Sequence, residues 1–323
     1  MSGFTITAGV SFSGGFTFTE APVGNAWFGG GNGPVLSTVD RITFATDTNI
    51  ASVRGPLSAG RYYFSATGNT DYAWFGGGTT ATNPQIRSTV DRITYATDTE
   101  TALVRGPLSQ QRYGAAAAGN TYNGWWAGGF QYIPGSPGPD AGPFYYSRVD
   151  RITYATDTAT ASVRGPLSGS RRSATATGNE TDGWFGGGVT PGPLSTVDRI
   201  TYATDTATAS VRGPLSLARA NFAAAGNATN GWFGGGPGYS RVDRITYATD
   251  TATASVRGPL SVGRHGLAAA GSTTDGWFGG GYSPYVSLVD RITYATDTDT
   301  ASVRGPLSQT KFGLAAASNI SLA

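Results

Sequence analysis

Residues 242–261 read VDRITYATDTATASVRGPLS, and near-copies of this stretch fill the chain. Its Val-Asp-Arg triplet begins at Val39, Val90, Val149, Val197, Val242 and Val289, so successive copies lie 51, 59, 48, 45 and 47 residues apart. That period matches propeller blades, units that bury their faces only against their neighbours. One repeat is therefore read as one blade.

The irregularity in the period has one location. From Val39 to Arg54 is 15 residues, from Arg54 to Arg61 is 7 and from Arg61 to Trp74 is 13, and these intervals recur in the other copies. The stretch from the Trp of the glycine run to the next Val-Asp-Arg instead runs 12, 16, 24, 13, 10 and 12 residues. A constant scaffold that positions one variable loop class separates framework from candidate site.

The second copy shows how one blade is built. Small residues dominate Arg61 to Gly68, as suits a first strand converging on the axis, and Ala73-Trp74-Phe75 forms a second strand ended by Gly76-Gly77-Gly78. Val90 to Tyr95 alternates as a third strand. Thr97-Asp98-Thr99 reads as a turn in which Asp bonds its own following backbone. Leu103-Val104-Arg105 is a fourth strand, stopped at Gly106-Pro107 because Pro cannot extend a ladder. The chain begins its first copy at a second strand, Trp27-Phe28-Gly29, and finishes at a first strand, Lys311 to Ala317. The last strand should complete the first blade and leave no open edge.

The expected fold is thus all-β: a six-bladed propeller of four-stranded blades over residues 26–323, its first blade closed by the C-terminal strand. Residues 1–25 form a separate segment. Within it, 4–19 alternate with period two around Gly14-Gly15, which reads as a β-hairpin. Two strands alone are marginal, so the hairpin is expected to dock on the propeller, on a larger assembly, or on a second copy as a homo-oligomer contact.

Composition agrees and narrows the chemistry. Gly makes up 49 of 323 residues and hydrophobic residues 39%, with helix formers sparse. The absence of Cys removes disulfides, thiolate zinc sites and cysteine nucleophiles. His265 is the only His, which argues against a zinc or copper centre, and no cofactor is expected. Net charge is +2, and repeat positions supply 12 of the 20 acids and 18 of the 22 bases, so no solvated face for nucleic acid is expected. Neither a run of 18 apolar residues nor a signal-peptide pattern in 1–25 is present, so no membrane insertion or Sec export is expected, and release would take another route such as cell lysis.

In this blade Arg61 opens the first strand, Gly76-Gly77 ends the second and Tyr95 closes the third; Arg219, Gly234-Gly235 and Tyr247 do so in another. The pattern resembles the kelch repeat over about 290 residues, and implies a kelch-like topology. It departs at the fourth strand, where the kelch Trp is replaced by Ala51, Ala102, Ala161, Ala209, Ala254 and Ala301, and Trp sits before the glycines instead. The wording WFGGG followed by VDRITYATDTATASVRGPLS is also similar to repeats in virion structural proteins of tailed phages of marine bacteria and cyanobacteria. That resemblance implies a virion component, made in the host cytoplasm, whose partners are other virion proteins or a host-surface glycan or protein.

Catalytic constellations are weak by comparison. The glycine runs recur as framework and no Lys-Ser/Thr follows them, which disfavours a phosphate cradle. Asp40 and Arg41 fall on opposite faces of a strand, so each should meet a partner elsewhere, such as Arg54. One carboxylate per Asp-Thr turn falls short of a Ca²⁺ shell. Thr181-Asp182-Gly183-Trp184 lacks the spacing of a sialidase Asp box, and Glu20, Glu100, Glu180, Asp140 and Asp299 are scattered, which leaves a glycan-active hydrolase as the third reading.

The variable loops carry the candidate binding residues: Ile86 and Arg87; Phe130, Tyr132, Ile133, Phe144, Tyr145 and Tyr146 in the longest loop; Tyr239; Tyr282 and Tyr285. Aromatics among Gly and Pro give contact area at low entropic cost. The leading expectation is a non-catalytic phage tail or fibre module contacting the host surface through these loops, and the alternative is a joint or capsid decoration protein contacting another virion protein.

Overall fold

The computed structural model describes residues 24–80, 85–131, 144–282 and 284–320. The proposed hairpin at 4–19, with Tyr132 and Ile133, lies outside them. Six four-stranded antiparallel sheets are arranged as blades, with two short two-stranded ribbons in the variable loops. The second blade runs outward from the axis as Ser65–Gly68, Tyr72–Gly76, Val90–Thr94 and Leu103–Arg105. In the first blade the innermost strand is Ala315–Ser318, paired to Asn25–Gly29, so the C-terminal strand closes the ring as expected.

Register explains the alternation in each strand. Directly opposed residues share a sheet face; Trp74 faces Arg92 across the ladder and Phe75 faces Asp91. Trp74 and Arg92 therefore look toward one neighbouring blade, while Phe75 and Asp91 look toward the other. The third strand ends at Thr94, and Tyr95–Thr97 turns as a short 3-10 segment that places Tyr95 against Trp27 of the preceding blade, ring centroids 3.9 Å apart. Equivalent stacks recur in every blade, with Phe44 on Trp277 closing the circle at 3.8 Å. The Trp that precedes the glycines thus fills the space between blades.

Two polar nodes lock the blades, and one differs from the sequence reading. The Asp side chain of each Thr-Asp-Thr turn accepts from the blade before and not, as read from the sequence, from its own following backbone, where the turn is closed by backbone bonds such as Glu100 N–H to Thr97 O. Asp98 Oδ2 accepts from Trp27 Nε1 at 2.8 Å and from Arg41 Nη1 at 3.0 Å, with Arg54 Nε at 3.5 Å, all from the blade before. The same trio meets Asp157, Asp205, Asp250, Asp297 and, across the closure, Asp47. Arg54 therefore serves Asp98, and Asp40 pairs elsewhere. The Val-Asp-Arg carboxylate is fully buried on the base that opens the same blade: Asp91 with Arg61 at 3.1 Å, Asp290 with Arg264 at 2.7 Å, Asp40 with Lys311 at 3.0 Å. In five blades the Ser of Gly-Pro-Leu-Ser donates its hydroxyl to that carboxylate as well. Buried charge without such partners would cost several kcal/mol per ion.

The Gly before Pro has a steric cause beyond ending a strand. Gly55 donates its N–H to Asp98 O in the next blade at 2.8 Å, and a Cβ there would collide with the carbonyl of Glu100. The equivalent glycines 106, 165, 213, 258 and 305 meet the same backbone approach.

Candidate functional site

The variable loops and the segments that open each blade share one end of the molecule. Residues after the second strand bridge to the residue after the opening base: Thr79 to Tyr62, Phe130 to Tyr113, Val189 to Arg172, Tyr282 to His265, Asn32 to Phe312. The next residue along each opening segment carries positive φ in all six blades: Tyr63 53°, Gly114 66°, Ser173 57°, Asn221 56°, Gly266 65° and Gly313 65°. Their N–H groups point to the carbonyl of the preceding member, Gly114 N to Tyr63 O at 2.7 Å and so on round to Tyr63 N on Gly313 O at 2.7 Å. Six backbone hydrogen bonds thus close a ring about the axis, and the opening side chains stand around it.

Those side chains are not symmetric. The position after the buried base is Tyr62, Tyr113, Arg172, Ala220, His265 and Phe312 in successive blades. Aromatics therefore gather over one part of the ring. Tyr62 lies 5.1 Å from Tyr63, Tyr63 is 5.8 Å from Phe312, Tyr113 is 5.1 Å from Phe130, and Phe130 is 5.3 Å from Tyr145, all ring centroids. Phe312 continues the arc to Tyr282 at 5.6 Å and Tyr285 at 5.3 Å. His265 stands edge-on to Tyr282 at 5.2 Å, and burial pushes its pKa below the ordinary value.

Within the arc is a cavity of about 370 Å³ lined by Tyr62, Tyr63, Thr79, Ile86, Tyr113, Phe130 and Arg172. The Arg172 guanidinium sits 4.9 Å from the Phe130 ring centre and 5.9 Å from those of Tyr113 and Tyr145. Burial raises the pKa of the Tyr63 and Tyr113 phenols, so both remain protonated donors. Among the described residues the lining holds no carboxylate, and no group of three His, Asp or Glu is placed to hold a metal.

The loop residues singled out from sequence divide accordingly. Ile86 and Phe130 are buried and form cavity wall, Tyr145 touches its rim through Phe130, and Tyr282 and Tyr285 build the far end of the arc, 40% and 45% exposed. Tyr146 turns away into a polar knot, accepting from Gln110 at 2.7 Å and donating to Gln131 at 2.6 Å. Phe144 pairs with Gln131 in the loop ribbon, Arg87 bonds Gln85 at 2.6 Å on the surface, and Tyr239 stands apart, 44% exposed. The residues missed are Tyr62, Tyr63, Tyr113, Arg172 and Phe312. Their signal was present in the residue after each opening base, which varies among the copies and holds Tyr62, Tyr113, Arg172 and Phe312, and in the residue after that, which holds Tyr63.

No protein-family model matches the chain, and no curated protein matches its sequence. A solved structure described as "Structure of YjhT" matches with a TM-score of 0.64 at 11% identity, over 81% of this chain and 88% of that one. The likeness carries the propeller fold and no more.

Proposed function

We propose that this chain is a non-catalytic binding module of a tailed-phage particle, most plainly its tail or fibre, which contacts a host-surface glycan or protein through the aromatic arc. The observation that carries the binding reading is asymmetry in a near-perfect repeat. Nodes, stacks and strands recur six times, yet aromatic residues are concentrated at one sector of one end, around a cavity. Tyr63 adds support, since the ring imposes positive φ on this position in every blade and a bulky side chain is kept there, at the cavity, where three other blades have Gly. The lack of a carboxylate among the described lining residues favours binding over hydrolysis. The virion assignment rests on the wording of the repeats. The open tyrosines 239, 282 and 285 favour a second reading, a joint or capsid decoration protein seated against another virion protein.

Paired adsorption and incorporation assays separate these readings. The double variant Tyr113→Ala, Tyr282→Ala should melt within a few degrees of the parent, as both side chains are partly solvent-exposed. It should lose adsorption to host cells by more than tenfold if the arc faces the host, or lose incorporation into particles if the arc faces a virion protein. Parent-like behaviour in both assays would sink the assignment of this face.

A further inference from the structure

The binding reading leaves the ligand class open, and Arg172 narrows it. The framework bases are each tied to a carboxylate at a blade junction or an axis-side node. Arg172 is not. Its Nη1 lies 3.4 Å from Tyr113 Oη, its Nε is buried without a hydrogen-bond partner, and Nη2 makes no hydrogen bond among the described residues. Contacts with ring faces position a guanidinium but use none of its N–H groups as donors. The Nη2 donors are therefore unspent in a guanidinium that is held in place on the wall of a cavity of about 370 Å³.

We infer that this cavity takes a carboxylate-bearing sugar residue, and the inference rests on the reading of this face as a binding surface. A carboxylate accepts charge-assisted hydrogen bonds from the open Nη2 of Arg172. The rest of the lining suits an amphipathic ring: Tyr62, Tyr63 and Tyr113 offer aromatic surface for a pyranose face, and their hydroxyls with that of Thr79 offer partners for sugar hydroxyls. A flat aromatic acid would leave those hydroxyls unused. A phosphate, with close to two negative charges, would meet one cation among the described lining residues. The volume lies at the small end of ligand sites, enough for one ring and its substituents.

The test is calorimetric titration of the full chain with trisaccharides of galacturonate, glucuronate and mannuronate, their methyl esters, and the neutral trigalactoside. At least one uronate should bind tenfold or more tightly than its ester at low salt. Arg172→Gln, checked by its melting curve, should abolish that margin while leaving the affinity of ester and neutral sugar within twofold. Tyr62→Ala should weaken acid and neutral sugars together. Equal binding of acid and ester, an unchanged margin in Arg172→Gln, binding of benzoate as tight as any uronate, or no binding of any uronate would each overturn the inference. The broader reading fails separately, when Tyr113→Ala, Tyr282→Ala leaves both adsorption and incorporation intact.

Discussion

Tyr63, Ser173 and Asn221 occupy left-handed backbone positions that three other blades fill with Gly114, Gly266 and Gly313. The closed ring of N–H to carbonyl bonds imposes that conformation on every blade, whatever residue is present. Only Gly adopts it without a Cβ penalty, which for L residues is about 1 kcal/mol. Ser173→Gly should therefore stabilise the protein by about 1 kcal/mol, and Asn221→Gly by less because Asn tolerates the region better. Ser173→Ala is the control, since Ala keeps the penalty. Thermal melts that rank Ser173→Ala with Ser173→Gly would refute the strain argument. Tyr63→Gly relieves the same strain but loses ring contacts with Tyr62 and Phe312, so its stability should change little while its binding falls.

Among the described residues the blades are separate sheets, joined by single backbone bonds such as Gly55 N–H to Asp98 O, by the stacked Trp and by the carboxylate beneath it. Asp205 accepts Trp125 Nε1 at 2.9 Å and Arg151 Nη1 at 3.0 Å, with Arg164 Nε at 3.5 Å. Asp205→Ala strands two guanidinium groups and an indole N–H at a closed junction, at a cost of about 2–4 kcal/mol. Trp125→Phe removes one donor and part of the stack on Tyr202, leaving the arginines paired. Denaturant unfolding should place Asp205→Ala clearly below Trp125→Phe. Equal midpoints would mean that the carboxylate contributes no more to the junction than one indole donor and the lost part of the stack.

Closure of the ring is carried by the last strand. Ala315–Ser318 pairs with Asn25–Gly29, and Lys311 supplies the buried partner of Asp40 at 3.0 Å and donates to Phe28 O at 3.2 Å. Ending the chain after Thr310 removes all of this and leaves Asp40 buried without its cation. The truncated chain should lose its cooperative unfolding transition, read by calorimetry and near-ultraviolet circular dichroism. A single transition at an unchanged temperature would disprove shared closure of the first blade.

Strand positions, blade number and the closing strand were legible in the linear chain because they follow from local alternation and from a period, both of which survive without knowing any contact. The constant intervals around Trp74, Val90 and Arg105 already mark the framework. The partner of Asp98 was not legible, since Trp27 lies 71 residues away and only the stacking of one blade on the next brings the pair together. The turn composition Thr-Asp-Thr suggested a self-contained motif, and the true acceptor role of Asp appears only when neighbouring faces meet. The site followed the same rule. Loop length correctly drew attention to one end of the molecule, but the aromatic arc joins Tyr62 to Phe312, from opposite ends of the chain, at ring centroids 6.2 Å apart. Circular closure makes them neighbours, and no spacing along the chain records a contact that closure alone creates.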